Sequence, residues 1–210
     1  PEKRMVRTLD GCARAFLSDR YRAIDNYQVA EAVFPVLAEN AEMQIASHAI
    51  TDDRMYLKAI FPNIQHEIKK GDILRFGLLI ENSEVGLGSL MLSAFIDRLI
   101  CTNGMAMSST FRRAHLGRKQ GDDDDGANEW LRDETRAADD KVLGMKLADC
   151  IRGAMTDGFS KSIAAIESAA SETIEKPAEA VEEITNRFGL IEDEASSVMK
   201  HLIAGGDVTR

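Results

Sequence analysis

The feature that most constrains this chain is a series of short alternating segments between Met43 and Phe95. Met43, Ile45, Ser47 and Ala49 fall on one face of a first strand. After an Asp52-Asp53 turn, Met55, Leu57, Ala59 and Phe61 form a period-two apolar face opposite Tyr56, Lys58 and Ile60. Pro62-Asn63 is expected to stop that strand, and Lys69-Lys70-Gly71-Asp72 to turn the chain. Ile73 to Glu81 then places Leu74, Phe76, Leu78 and Ile80 on one side, with Arg75 and Gly77 on the other. Asn82 to Gly88 makes a further turn, and Ser89 to Phe95 a fourth strand. The links are too short for parallel crossovers, so the sheet is expected to be antiparallel. One face should pack on helices and the other stay open for binding.

Helical patterns flank this meander. Asp25 or Asn26 can cap a helix with Tyr27, Ala30, Val33, Phe34 and Leu37 on one face, which Pro35 should kink or shorten. From Glu129 onward, Leu143, Leu147, Cys150, Ile151, Ala154, Ile163, Ile166, Ala170 and Ile174 recur at helical spacing. They describe one long helix or two in line, with Gly153 and Gly158 as weak points. Pro177 suits the start of another helix, closed at Phe188-Gly189 with glycine as C′ residue. A last helix carries Ala195, Val198, Met199, Leu202 and Ile203. The expected fold is α+β: an antiparallel meander of about four strands packed with helices, then a long helix and a C-terminal helical pair. The expected organisation is an α+β core over 1–120, an acidic flexible loop at 121–128, and a helical region over 129–210 that packs on the core.

Charge is distributed unevenly along the 210 residues. The net charge is −9, yet 1–120 holds sixteen Lys/Arg against fourteen Asp/Glu, while 121–210 holds ten against twenty-one. A nucleic-acid surface therefore belongs on the first part, since phosphate affinity comes from Lys and Arg. The acidic part suits solubility or a basic partner. No run of eighteen apolar residues suggests a membrane span, and PEKRMVRTLDG lacks a signal-peptide core. Pro1 is not an initiator residue, so a longer parent chain is expected. Cys12, Cys101 and Cys150 lack metal spacing, and an odd count fits a reducing cytoplasm.

Arg112, Arg113, His115, Arg118 and Lys119 form the densest basic cluster, directly after Ser108, Ser109, Thr110 and Phe111. Hydroxyls and guanidinium groups contact phosphates, and Phe111 could stack on a base. Arg75 and Lys58 would extend that surface from adjacent strands. The competing reading is a solvated segment that happens to be basic. A second set, Arg4, Arg7, Arg14, Arg20 and Arg22 with Phe16 and Tyr21 interleaved, fits single strands, but a packed N-terminal arm explains it better.

No catalytic apparatus is legible. Glu81 to Glu84 suits a turn better than a pair of opposed carboxylates. Cys101 to Gly104 is first a corner, although His48 or His115 could lie near it. Asp122 to Asp125 lacks the alternate ligand spacing of a Ca²⁺ loop. Neither a cofactor nor a metal is expected.

GLLIENSEVGLGSL, FIDRLICTNGM and FRRAHLG, with Phe188 to Asp207 at the far end, resemble the phage- and plasmid-associated domain of unknown function 932. That resemblance implies a mobile-element setting, where replication and recombination proteins are common. The order of elements also looks like single-strand annealing recombinases of the Rad and Redβ/RecT type, which bind DNA in a basic groove without hydrolysis. These likenesses imply a cytoplasmic, non-catalytic nucleic-acid-binding protein of the kind that anneals single strands without ATP and forms homo-oligomers. The alternative is an interaction or structural module of a mobile element that uses its acidic helical surface. A metal-dependent nuclease using the Asp run is a third reading.

Overall fold

The structure, a computed structural model, describes residues 4–18, 21–99, 105–115, 132–172 and 174–204. An N-terminal hairpin, β1 (Arg4–Leu9) and β2 (Cys12–Ser18), precedes helix α1 (Asn26–Ala38). Strands β3 (Gln44–Ile50), β4 (Met55–Lys69), β5 (Asp72–Asn82), β6 (Leu90–Arg98) and β7 (Met105–Arg113) follow. Helix α2 (Asp133–Gly153) leads through a π-helical turn, Ala154–Gly158, into α3 (Phe159–Ser171), and α4 (Pro177–Phe188) and α5 (Glu192–Ala204) complete the chain. The fold is α+β, with β3 to β7 in one antiparallel sheet in chain order and the hairpin as a separate two-stranded sheet.

The chain divides into two compact units, Pro1–Ser160 and Lys161–Arg210. In the first, the expected alternation builds the core. Leu57, Ala59 and Phe61 on β4 lie beside Leu74, Phe76, Leu78 and Ile80 on β5 and Leu90, Leu92, Ala94 and Ile96 on β6, all buried. Val29, Val33, Val36 and Leu37 of α1 are buried too, as are Leu147 and Ile151 of α2. Phe76 meets Phe61 at 5.4 Å between ring centroids and Phe159 edge-on at 5.9 Å, a favoured aromatic arrangement. In the second unit, Gly189 ends α4 in the left-handed conformation, its N–H donating to Thr185 O at 2.9 Å.

Several local expectations change. Helix α1 runs through Pro35 to Ala38, because Val36 and Leu37 are buried beyond it and that packing offsets the proline's cost of about 3 kcal/mol. Pro62-Asn63 does not stop β4. The register shifts between Phe61 and Gln65, so proline sits in a bulge, where its missing N–H leaves no gap in the ladder. The long helical pattern changes between the two glycines into a π-helical turn over Ala154–Gly158 that joins α2 to α3.

A bulge in β3 redirects its side chains. The register shifts between Ile45 and Ser47, so Ile45, His48 and Ile50 face the helix side while Ser47 and Ala49 face away. The expected common face of Ile45, Ser47 and Ala49 is therefore split. Strand β7 and the hairpin join the four expected strands. The hairpin's signal was present as Asp10-Gly11, whose φ values of 51 and 79 suit a tight primed turn.

Candidate nucleic-acid interface

Helices cover one face of the five-stranded sheet, and the register decides what the other face presents. Lys58 stands opposite Leu79, and Leu79 opposite Ser93. One row along, Tyr56 pairs with Glu81, Glu81 with Met91 and Met91 with Arg112. Ile60, Gly77 and Phe95 form a further row, and Arg75 lies beside Asp97. Lys58, Arg75 and Arg112 thus share the open face, together with Tyr56 and Phe95.

Neighbouring groups set how available each cation is. Lys58 Nζ sits 4.7 Å from the centre of the Phe95 ring, a cation–π contact. The ring is itself buried, lying over Gly77. Arg75 is committed to Asp97, donating from Nε at 3.1 Å and from Nη2 at 2.5 Å. Arg112 is exposed and donates from Nε to Ser89 Oγ at 3.0 Å. Among the described residues, neither Lys58 nor Arg112 forms an ion pair.

The sheet separates the rest of the basic cluster. Phe111 pairs with Leu92 and Arg113 with Leu90, which puts both on the helix-side face. There they line a cavity of about 120 Å³ with Arg22, Asp139 and Lys146, which Arg112 also borders. His115 is buried, its ring stacked on Tyr21 at 5.2 Å with an interplanar angle of 2°. Its Nδ1 donates to Arg22 O at 3.2 Å, while Nε2 has no partner among the described residues. Burial and the nearby Arg7 charge hold His115 below the usual histidine range despite that backbone bond. Arg118 and Lys119 lie outside the described residues, as do Arg20, Cys101 to Gly104 and the run Asp122 to Asp125.

Three of the N-terminal arginines, Arg7, Arg14 and Arg22, are occupied within the chain. Arg7 pairs with Asp25, and Arg14 donates to Glu84 Oε2 at 3.1 Å. Arg22 grips Asp139 and Asp140 of α2. Hydrogen bonding to Arg22 holds the Asp139 carboxyl below the usual carboxylate range. The Asn82 to Gly88 turn is a clasp. Asn82 Nδ2 donates to Ile24 O at 3.0 Å, Tyr21 Oη to Ser83 O at 3.1 Å, and Asn26 N to Glu84 Oε1 at 2.7 Å. Glu84 is thus spent on structure, as turn chemistry implied. No three His, Cys, Asp or Glu side chains gather as a metal-holding group among the described residues.

A family model described as Domain of unknown function (DUF932) matches residues 15–203. The chain belongs to this family. The match runs through both compact units of this DUF932 chain and takes in the end of β2 from Ala15, the whole five-stranded sheet and the helices up to Ile203. Comparison with curated proteins and with solved structures returns no match. The architectural likeness to annealing recombinases therefore carries no residue across. No helix among the described residues is long and apolar enough to cross a membrane.

Two features of the open face were only partly legible. Tyr56 and Lys58 follow from strand alternation, but the Phe95–Lys58 contact depends on the register of three strands. Gly77 is its one local signal, a gap in an otherwise bulky strand that leaves room for a ring.

Proposed function

We propose that the open face of the five-stranded sheet binds single-stranded nucleic acid without cleaving it. The observation that carries this reading is the placement of Lys58 and Arg112 on one open face, neither ion-paired among the described residues. They stand on β4 and β7, three strand spacings or roughly 14 Å apart. That span is several times the axial spacing of about 3.4 Å between phosphates of one strand. Lys58 and Arg112 would meet phosphates, and the half-buried Tyr56, in the row of Arg112 and beside that of Lys58, offers a ring to a base. Arg75, neutralised by Asp97, would contribute less. The setting we infer from the resemblance is a mobile genetic element, with strand annealing as the activity such binding would serve.

Fluorescence anisotropy with single-stranded oligonucleotides across a salt series tests the reading. The full chain is expected to bind at low salt and to lose affinity steeply as salt rises. Absence of binding to single-stranded DNA and RNA at low salt would overturn it.

A further inference from the structure

Two apolar surfaces lie uncovered by the described residues, and they complement each other. The first belongs to the β1–β2 hairpin. One of its faces is tied down: Arg7 pairs with Asp25, Arg14 holds Glu84 and the Asp52 carbonyl, and Leu17 packs tightly over Gly86. The opposite face presents Val6 and Phe16, direct partners across the two strands, at 44% and 77% exposure. Contacts to its own chain thus use one side of the hairpin and leave the apolar side pointing outward.

The second surface lies between α1 and β3. A groove of about 410 Å³ has Met55, Leu57 and Ile80 among its lining, with Phe34 and Ile45 and the strongly exposed Tyr27 and Ile50, each 74% exposed. Beside it runs the free edge of β3, which pairs only with β4 among the described residues. Soluble proteins usually guard such an edge with charge or proline. The β3 segment, QIASHAI, has neither.

We propose that the β1–β2 hairpin of a second copy of this chain adds to the β3 edge and lays its Phe16 face into this groove. The strands match in length, since β2 and β3 have seven residues each. Each partner brings an unpaired edge, so a backbone ladder can form, and alternate side chains of the added strand would project over the groove. A stable interface takes about 800 Å² from each partner, and one buried aromatic side chain supplies roughly 150–250 Å². Phe16, Val6 and a seven-residue strand supply the apolar part of that area. Donor and acceptor are different patches of one molecule, so the contact repeats head to tail and builds a ring or a filament. This inference stands independently of nucleic-acid binding.

The test is assembly size by gel filtration with light scattering on the full chain. The wild type is expected to be multimeric, and Phe16→Asp and Ile50→Asp are each expected to be monomeric with the wild-type far-UV circular-dichroism spectrum, their melting temperatures falling only by what assembly contributes. An equimolar mixture of the two variants should form a heterodimer and nothing larger. The Ile50→Asp chain still donates its hairpin, and the Phe16→Asp chain still offers its groove. A second measurement survives any folding defect in those variants. In a chain carrying Cys12→Ser, Cys101→Ser, Cys150→Ser, Ala15→Cys and Ser47→Cys, mild oxidation should link position 15, at the centre of β2, to position 47, at the centre of β3 of the next copy, and give a ladder of multimers. A monomeric wild type, a mixture that stays monomeric, or cross-links joining only two position-47 thiols, as in β3–β3 pairing, would overturn the proposal. So would a Phe16→Asp chain that keeps the wild-type assembly size.

Discussion

The Phe95 ring lies so close over Gly77 that a β-carbon at position 77 would stand 2.2 Å from Phe95 Cζ. Glycine is the residue that lets the ring lie flat across β5, where it supports the Lys58 ammonium. Gly77→Ala must displace the ring, and overpacking of this kind costs about 1–3 kcal/mol. Urea unfolding is expected to show that loss. Gly77→Ala combined with Phe95→Ala should cost less than the two single losses added together. Strict additivity would mean that ring and backbone are not coupled.

Arg22 ties the chain ahead of α1 to Asp139 and Asp140 near the start of α2. Partly exposed pairs of this kind contribute about 0.5–1 kcal/mol after solvent screening. Arg22→Ala is expected to lower stability by about that amount at neutral pH. The Asp139 carboxyl is held low by Arg22, so its share is present above the ordinary carboxylate range and is lost as pH falls through the folded-state value. The gap between wild type and Arg22→Ala should therefore narrow in acid. A gap that stays constant down to low pH would remove the ion pair as its cause.

His115 is buried and neutral against Tyr21. Its folded-state pKa lies below the ordinary value of 6.5, so the unfolded chain binds the proton first. Stability from this residue is present above about pH 6.5 and declines as pH falls toward the folded-state value. Unfolding midpoints at pH 7.5 and pH 5.5 should differ more for the wild type than for His115→Gln. An equal pH dependence in the two proteins would show that His115 is not the group responsible.

On the open face, Lys58→Ala and Arg112→Ala are each expected to lower the slope of log affinity against log salt by about 0.7, the value for one single-strand phosphate contact. Arg113→Ala, on the helix-side face, should leave the slope unchanged. If Arg113→Ala lowers the slope while Lys58→Ala does not, the binding surface lies on the other side of the sheet.

The sheet was legible because alternation is a local property. Leu74, Phe76, Leu78 and Ile80 had to share a face once β5 was extended, and all four are buried. Strand β7 was missed because Met105 to Arg113 carries no clean alternation. The basic cluster resembles one surface only because its members are adjacent in sequence. In a strand, adjacency means opposite faces, so Arg112 and Arg113 part company.

By itself, the sequence determined the α+β class, the antiparallel order, the helix ends at Asp25 and Gly189, and membership in the family. Each follows from residue periods, turn residues or segment order, which are set within a few neighbouring positions. Only the tertiary structure decided which cations remain available. Arg22 meets an aspartate 117 positions away, Arg14 a glutamate 70 away, and Arg75 an aspartate 22 away. It also decided that Ile45, His48 and Ile50 line one groove, because a bulge in β3 reverses the alternation partway along the strand. Charge partners and bulges depend on what the fold brings alongside a residue, and no local period encodes that.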